Sequence, residues 1–202
     1  MSNQEFTRNA AAVATNIQKL VQNVSSMQRM LVHVDSQGDA LRQQLRQLQH
    51  YTGQLARDTA SQLKLLTDQQ PLGDQGAKIQ RERLQDEFTK ALDNFQRVQR
   101  EAAEKERQKL EAVRQDQEVN LPGPGDGFNG QSQTQMILEE EDRLRELAER
   151  ERAMRELESD ITDVNTIFKV SLKLVNENVI KRFVGASNNS PRAGRSNRQY
   201  RE

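Results

Sequence analysis

The side chains best suited to chemistry in this chain are few and scattered. The chain has 202 residues with no cysteine and two histidines, His33 and His50, so disulfides and thiol-based catalytic or metal sites are excluded. The acidic run from Glu139 to Asp142 is typical of a solvated helix face. The glycines at 123–127 lack the preceding strand of a phosphate-binding loop. We therefore predict no catalytic, cofactor-binding or metal-binding residue.

One narrow apolar seam is the feature that predicts a function. Between Glu149 and Lys169 apolar residues recur at alternating spacings of three and four, which places them in one stripe along a helix. A stripe of this width cannot form a core alone, so other helices must complete it. The chemistry that it predicts is helix association. The seam and its continuation comprise Met154, Leu157, Ile161, Val164, Ile167, Phe168, Leu172 and Val175.

Three amphipathic helices are predicted before the seam, over about Glu5 to Val34, about Ala40 to Thr67, and from near Ala77. Their short connections favour an antiparallel three-helix bundle, and the charged end of the third helix is expected to project into water. The predicted seam positions are Phe6, Ala10, Val13, Ile17, Leu20, Val24, Met27 and Leu31, then Leu41, Leu45, Leu48, Thr52, Leu55, Thr59, Leu63 and Leu66, then Ile79, Leu84, Phe88, Leu92, Phe95, Val98 and Ala102.

The whole chain is predicted to be an all-α protein with four parts. These are a three-helix bundle at 1–120, a flexible Pro/Gly-rich linker at 121–135, a partial coiled-coil motif on one long amphipathic helix at 136–180, and a disordered basic tail at 181–202. The 30 basic and 30 acidic residues balance, so no net charge draws the chain onto nucleic acid. No segment reaches the length of a membrane span, and we expect a soluble chain.

Four segments in the same order resemble endosomal syntaxins, which are glutamine-class SNAREs of membrane fusion. NIQKLVQNVSSMQRML (16–31), LRQQLRQLQHYTGQLARDT (41–59) and KIQRERLQDEFTKALDNFQRVQR (78–100) resemble the helices of their amino-terminal regulatory bundle. ERERAMRELESDITDVNTIFK (149–169) resembles the start of their SNARE motif. The resemblance implies vesicle docking and fusion at the cytosolic face of endosomal membranes, by coiled-coil pairing of the seam.

The partners that this resemblance implies are proteins. They are other SNARE proteins in a heterotypic helical bundle, an SM-type regulatory protein and a SNARE-disassembly adaptor, with no nucleic acid and no small-molecule substrate. The resemblance also implies that the seam helix alternates between folding back on the bundle and pairing with other chains. The linker would supply the hinge.

The agreement with the family ends just after Lys169. The resemblance would place an apolar layer where this chain has Ser171, and its central glutamine where this chain has Asn178. The apolar stripe continues through Leu172, but with two consecutive steps of four that disturb coiled-coil register. We expect the second half of the motif and the membrane anchor to be missing. Such a chain would bind partner SNAREs without driving fusion, or would inhibit it.

A different class of function is also compatible with these helices. The chain would then be a spectrin-like coiled-coil scaffold that associates with itself, which predicts homo-oligomers and no heterotypic partner. An enzyme is disfavoured, because the sequence offers no convergent nucleophile, base or metal cluster.

Overall fold

A computed structural model describes the backbone of residues 3–36, 38–68, 74–119 and 130–187, and the side chains of 4–36, 38–68, 74–115 and 138–173. Within these ranges the chain forms four α-helices and no strand. The all-α class predicted from the sequence is therefore confirmed. The helices are α1 (Asn3–His33), α2 (Gly38–Asp68), α3 (Gln75–Val119) and α4 (Gly130–Ser187).

Helices α1, α2 and α3 form an antiparallel bundle around one apolar core. Every predicted apolar position of α1 is buried, because the unbroken alternation of fours and threes keeps these side chains on one face. Two amide contacts fix the register of α1 against α2. Asn16 Nδ2 donates to Gln62 Oε1 and Asn23 Nδ2 donates to Thr52 Oγ1, both at 3.1 Å. A residue further along α1 therefore contacts a residue earlier in α2, which shows that the two helices run antiparallel.

The two connections within the bundle use residues suited to helix starts. Gly38, the first residue of α2, has φ of 76°, a left-handed conformation that glycine adopts without a Cβ clash. Asp74 precedes α3, and its carboxylate accepts a hydrogen bond from the Ala77 N–H at 3.0 Å, which satisfies one of the free donors of the first turn. Both helices therefore begin where their sequences provide a turn or a cap.

One predicted apolar position of the third helix is wrong. Ile79 is 65% exposed, whereas Ala77, Arg81 and Leu84 around it are buried. Ile79 lies two residues from both Ala77 and Arg81, so it faces about 200° away from each of them. Its spacing of five from Leu84 is not a same-face spacing, and the bundle therefore leaves it outside.

The charged end of α3 is exposed at most of its described positions, as the sequence predicts, but one side of it contacts α4. Leu110 is 9% exposed, and Arg114 Nη2 lies 2.6 Å from Glu151 Oε1 of α4. The reason is that α4 lies alongside this end of α3 and contacts one side of it. The charges on the outer faces of α3 remain in contact with solvent.

Helix α4 lies in the groove between α2 and α3, on the opposite side of these helices from α1. It begins at Gly130 and ends at Ser187, and so extends past both predicted limits, 136 and 180. Residues 130–135 carry no apolar stripe, which is why the pattern did not include them in the helix. The remaining parts of the predicted linker and tail, 121–129 and 188–202, lie outside the described residues. No helix in the described ranges is long and apolar enough to cross a bilayer.

Candidate helix-docking site

The groove of α2 and α3 holds the centre of the predicted seam. Val164 is fully buried, Leu157 is 4% exposed and Ile167 is 9% exposed. Ile161 and Phe168 are partly buried and pack against the same apolar core. The alternating spacing therefore places these five side chains on one face, and in this structure that face lies against the chain's own bundle.

The two ends of the seam are placed differently. Met154 is half-buried, and Leu172 is 40% exposed. The buried residue at that level is Ser171, at 6% exposure. The side chains of Val175 and Asn178, the predicted continuation and central-layer position, lie outside the described residues. Their role in partner binding, like that of the whole seam, stays a prediction.

Neutral hydrogen bonds join α4 to α3. Gln96 Nε2 donates to Asn165 Oδ1 at 2.9 Å, and the hydroxyls of Thr89 and Ser171 lie 2.8 Å apart. The seam pattern did not predict these contacts, because they come from polar residues beside or within the apolar stripe. They fix the register of α4, which runs antiparallel to α3.

Ion pairs join α4 to α2. They cross the outer edge of the interface, where solvent screens them, so each contributes about 0–1 kcal/mol. Their numbering rises along both helices, which shows that α4 runs parallel to α2. The ion pairs are Arg150 with Asp39 at 3.3 Å and Asp163 with Arg57 at 2.5 Å, and between them His50 Nδ1 lies 3.6 Å from Asp160 Oδ1.

A buried arginine lies at the end of the bundle where α1 turns into α2. Arg42 is 3% exposed, and its guanidinium lies 3.0 Å from Asp39, 3.5 Å from Glu106 and 3.8 Å from Asp35. These carboxylates belong to α2, to α3 and to the turn after α1, so one cation joins three parts of the fold. Asp39 also contacts Arg150 of α4. The cluster therefore couples the bundle to the docked helix.

The cations of this cluster lower the pKa values of two of its carboxyl groups. Burial alone would raise the pKa of Asp39, but the hydrogen bond from Arg42 and the charges of Arg150 and Arg42 outweigh it and hold that pKa below its usual range. The hydrogen bond from Lys105 holds the pKa of Asp35 below its usual range as well, against the opposing effect of burial. Both carboxylates are thus stabilised as anions in the folded protein.

We expect acid to loosen the contact of α4 with this cluster. A carboxyl group whose pKa is lower in the folded state contributes stability that is complete above its unfolded pKa, 3.8 for aspartate, and is lost as the pH falls through the folded value. Asp39→Asn should therefore speed amide exchange around Arg150 near neutral pH, and the difference from the parent should shrink below pH 3.8. The matched control is Asp58→Asn on the exposed face of α2. Equal exchange in the parent and Asp39→Asn near neutral pH would contradict the prediction.

The interior beneath α4 contains two glutamines with unmet hydrogen-bonding groups. Gln49 is 1% exposed and Gln99 is fully buried, and neither Gln49 Nε2 nor either polar atom of the Gln99 amide has a partner within the described side chains. The two glutamines lie at the same level of the bundle. Arg42 and Glu106 form an ion pair between antiparallel helices α2 and α3, and Gln49 and Gln99 each lie seven residues, or two turns, from that pair in the same direction. Gln49 also lines a groove of about 780 Å³ between α2 and α4.

Without a hydrogen-bond partner, these glutamines would weaken the docking of α4. A buried polar group without a partner costs about 1–3 kcal/mol, whereas the same group is hydrated once the helix above it leaves. The face of the bundle towards α1 is mostly apolar, and its buried Thr52 is hydrogen-bonded to Asn23 of α1. The fourth helix is thus docked on a more polar surface than the one that α1 covers.

A stable bundle whose groove holds a long helix by a narrow seam defines a protein that works by helix association. In the described part of the chain no group of three or more His, Asp or Glu side chains could hold a metal ion. A family described as Syntaxin-like protein matches residues 9–151. The chain belongs to this syntaxin-like family.

The chain is similar to individual syntaxins over most of its length. It is 40% identical to rat Syntaxin-7 and 39% identical to human Syntaxin-7 over 176 residues, which cover 79% of this chain and 67% of each relative. Among solved structures it matches the Unc18–syntaxin 1 complex of Monosiga brevicollis at 14% identity and a TM-score of 0.47, over 95% of this chain and 86% of that one. The predicted family is confirmed, and the chain is a syntaxin-like SNARE of vesicle trafficking rather than an enzyme.

Proposed function

We propose that this chain pairs its seam with helices of partner SNAREs during docking at endosomal membranes, and that α4 in the groove is its unpaired state. The observation that supports this is the burial of Leu157, Val164 and Ile167 against α2 and α3. One face cannot contact both the groove and foreign helices, so folding back and pairing compete. The polar interior beneath α4 and its solvent-screened ion pairs limit the free energy of docking, so that a partner helix can compete for the seam.

We further propose that this form limits fusion. The seam alternates without a break through Phe168, but its next position is Ser171, which is polar. Pairing that stops at this level would begin a helical bundle without completing it. An SM-type protein that recognises the folded-back state, and a disassembly adaptor that separates the paired state, are the regulatory partners that we infer from family membership.

The decisive experiment mixes the chain with the soluble helices of an endosomal SNARE set and follows size exclusion and circular dichroism. We expect a heterotypic complex with added helix content. Ile161→Asp should weaken it at least tenfold, because a carboxylate would enter an apolar layer. Thr162→Asp, which places the same charge on the neighbouring exposed position, is the matched control.

In a lipid-mixing assay with a complete SNARE set, added parent protein should slow fusion and the Ile161→Asp variant should not. Faster mixing on addition of the parent would overturn the inhibitory role. A chain that forms only homo-oligomers, whatever helices are added, would overturn the pairing function and favour a scaffold.

A further inference from the structure

Ser171 occupies a seam position although it is polar. The steps from Leu157 to Ile161, Val164 and Phe168 are four, three and four, and the next step of three ends at Ser171. The structure also places Ser171 on the buried face of α4, where it is only 6% exposed against α3. A polar side chain thus occupies a position where the spacing of the seam predicts an apolar one.

The hydroxyl of Ser171 is satisfied by the chain's own α3. Its Oγ lies 2.8 Å from Thr89 Oγ1, and Thr89 Oγ1 donates its proton to the Gln85 carbonyl, also at 2.8 Å. The hydrogen between the two hydroxyls must therefore come from Ser171. In the groove, both hydroxyls have a partner and Ser171 is not an unsatisfied buried group.

The apolar atoms at this level of α4 do not hold it to the bundle. Val170 is 48% exposed and Leu172 is 40% exposed, on the two sides of Ser171. The hydrogen bond therefore replaces apolar burial as the contact of this turn with α3. A foreign helix that offers an apolar layer here would meet a short side chain that leaves part of the layer unfilled, and pairing with it would give up the hydrogen bond to Thr89.

We propose that Ser171 is a partner-selecting residue, whose hydrogen bond to Thr89 favours docking of α4 on its own α3 over pairing with a helix of another chain. This inference rests on the proposed function, because it assigns a preference between the two states that the function requires. Ser171 acts by position and hydrogen bonding alone. Thr89 is the complementary residue of α3.

The test is a mutant cycle that reports the position of α4 without any partner. Spin labels are placed at Lys64→Cys on α2 and Lys169→Cys on α4, two exposed sites in a chain without cysteine. Ser171→Ala and Thr89→Val should each raise the population with long label distances about fivefold, the effect of one lost hydrogen bond. The double variant should open no further than either single variant.

Thr166→Ala is the matched control, since it removes an exposed hydroxyl of α4 that bonds only to the carbonyl of Thr162 in its own helix. Single variants that match this control, or effects that add fully in the double variant, would overturn the proposal. Variants that opened the chain by unfolding the bundle would show lower helix content, which circular dichroism of the same samples measures.

A second readout measures selection itself, with the soluble helices of an endosomal SNARE set as the probe. Ser171→Leu should bind them about tenfold more tightly than the parent, because it adds an apolar layer as well as removing the hydroxyl. Thr89→Val should tighten binding only by the factor by which it raises the population with long label distances in the spin-label experiment. Equal binding of Ser171→Leu and the parent would overturn the proposal. The label distances could change as predicted while neither the parent nor any variant binds the helices. That result would contradict the pairing function but would still support the preference of Ser171 for α3.

Discussion

The Val164→Asp variant is expected to release α4 from a three-helix bundle that remains folded. Val164 is fully buried between α2 and α3, at the centre of the seam. An ionised carboxylate held there without a partner would cost several kcal/mol, more than a helix with few fully buried residues gains by docking. The cheaper response is for α4 to leave the groove, since the apolar core of α1, α2 and α3 does not need it.

Amide hydrogen exchange measures this outcome segment by segment. Amides at 150–173 should lose protection, whereas those of α1 and of the α1-facing side of α3 should keep it. The matched control is Thr162→Asp, which adds the same charge two residues away on an exposed position and should leave α4 docked. Cooperative loss of all four helices in Val164→Asp would contradict the expectation, because it would make α4 part of one indivisible core.

The Arg42→Ala variant should destabilise the whole bundle by about 3 kcal/mol, because it leaves Glu106 largely buried without its cation. Glu106 is 13% exposed in its side chain and lies 3.5 Å from the guanidinium. Asp35 and Asp39 are mostly solvated, so they lose less. The turn between α1 and α2 and the contact of Asp39 with Arg150 should both loosen.

Unfolding in guanidinium chloride, monitored by circular dichroism, gives the free energy of unfolding of the parent and of each variant. Arg46→Ala is the matched control, since Arg46 is one turn further along α2, half-buried, and forms no ion pair with the described residues. A surface change of that kind is expected to stay within about 0.5 kcal/mol. A loss below about 1 kcal/mol in Arg42→Ala would contradict a structural role for the buried cation.

The apolar rhythm predicted the parts of the fold that one stripe per helix can build. The core positions of α1 and of most of α3 follow from it, as does the centre of the seam at Leu157 and Val164. What it could not predict is that α2 and α3 each bury a second face. Those faces carry Arg42, Gln49 and Gln99, residues that are typical of a solvated surface until another helix covers them.

The choice between folding back and pairing was left open by the sequence for a physical reason. A narrow seam fits any groove of matching spacing, and spacing alone does not identify which helices supply the groove. In the structure α4 lies against the chain's own α3, where Asn165 and Ser171 make polar contacts. They could be found only once the register of α4 against α3 was known, because each pair is more than sixty residues apart in the chain.

The two edges of the docked helix should respond differently to dissolved salt. Among the described side chains, the polar contacts of α4 with α2 are between charged or chargeable groups, whereas its contacts with α3 comprise two between neutral amides and hydroxyls and one ion pair, Arg114 with Glu151. Mobile ions screen the first kind within a distance of about 10 Å at 0.1 M and leave the second nearly unchanged. Around Asn165 and Ser171, added salt would therefore loosen the contact of α4 with α2 before its contact with α3, so that the seam there opens towards solvent on the α2 side.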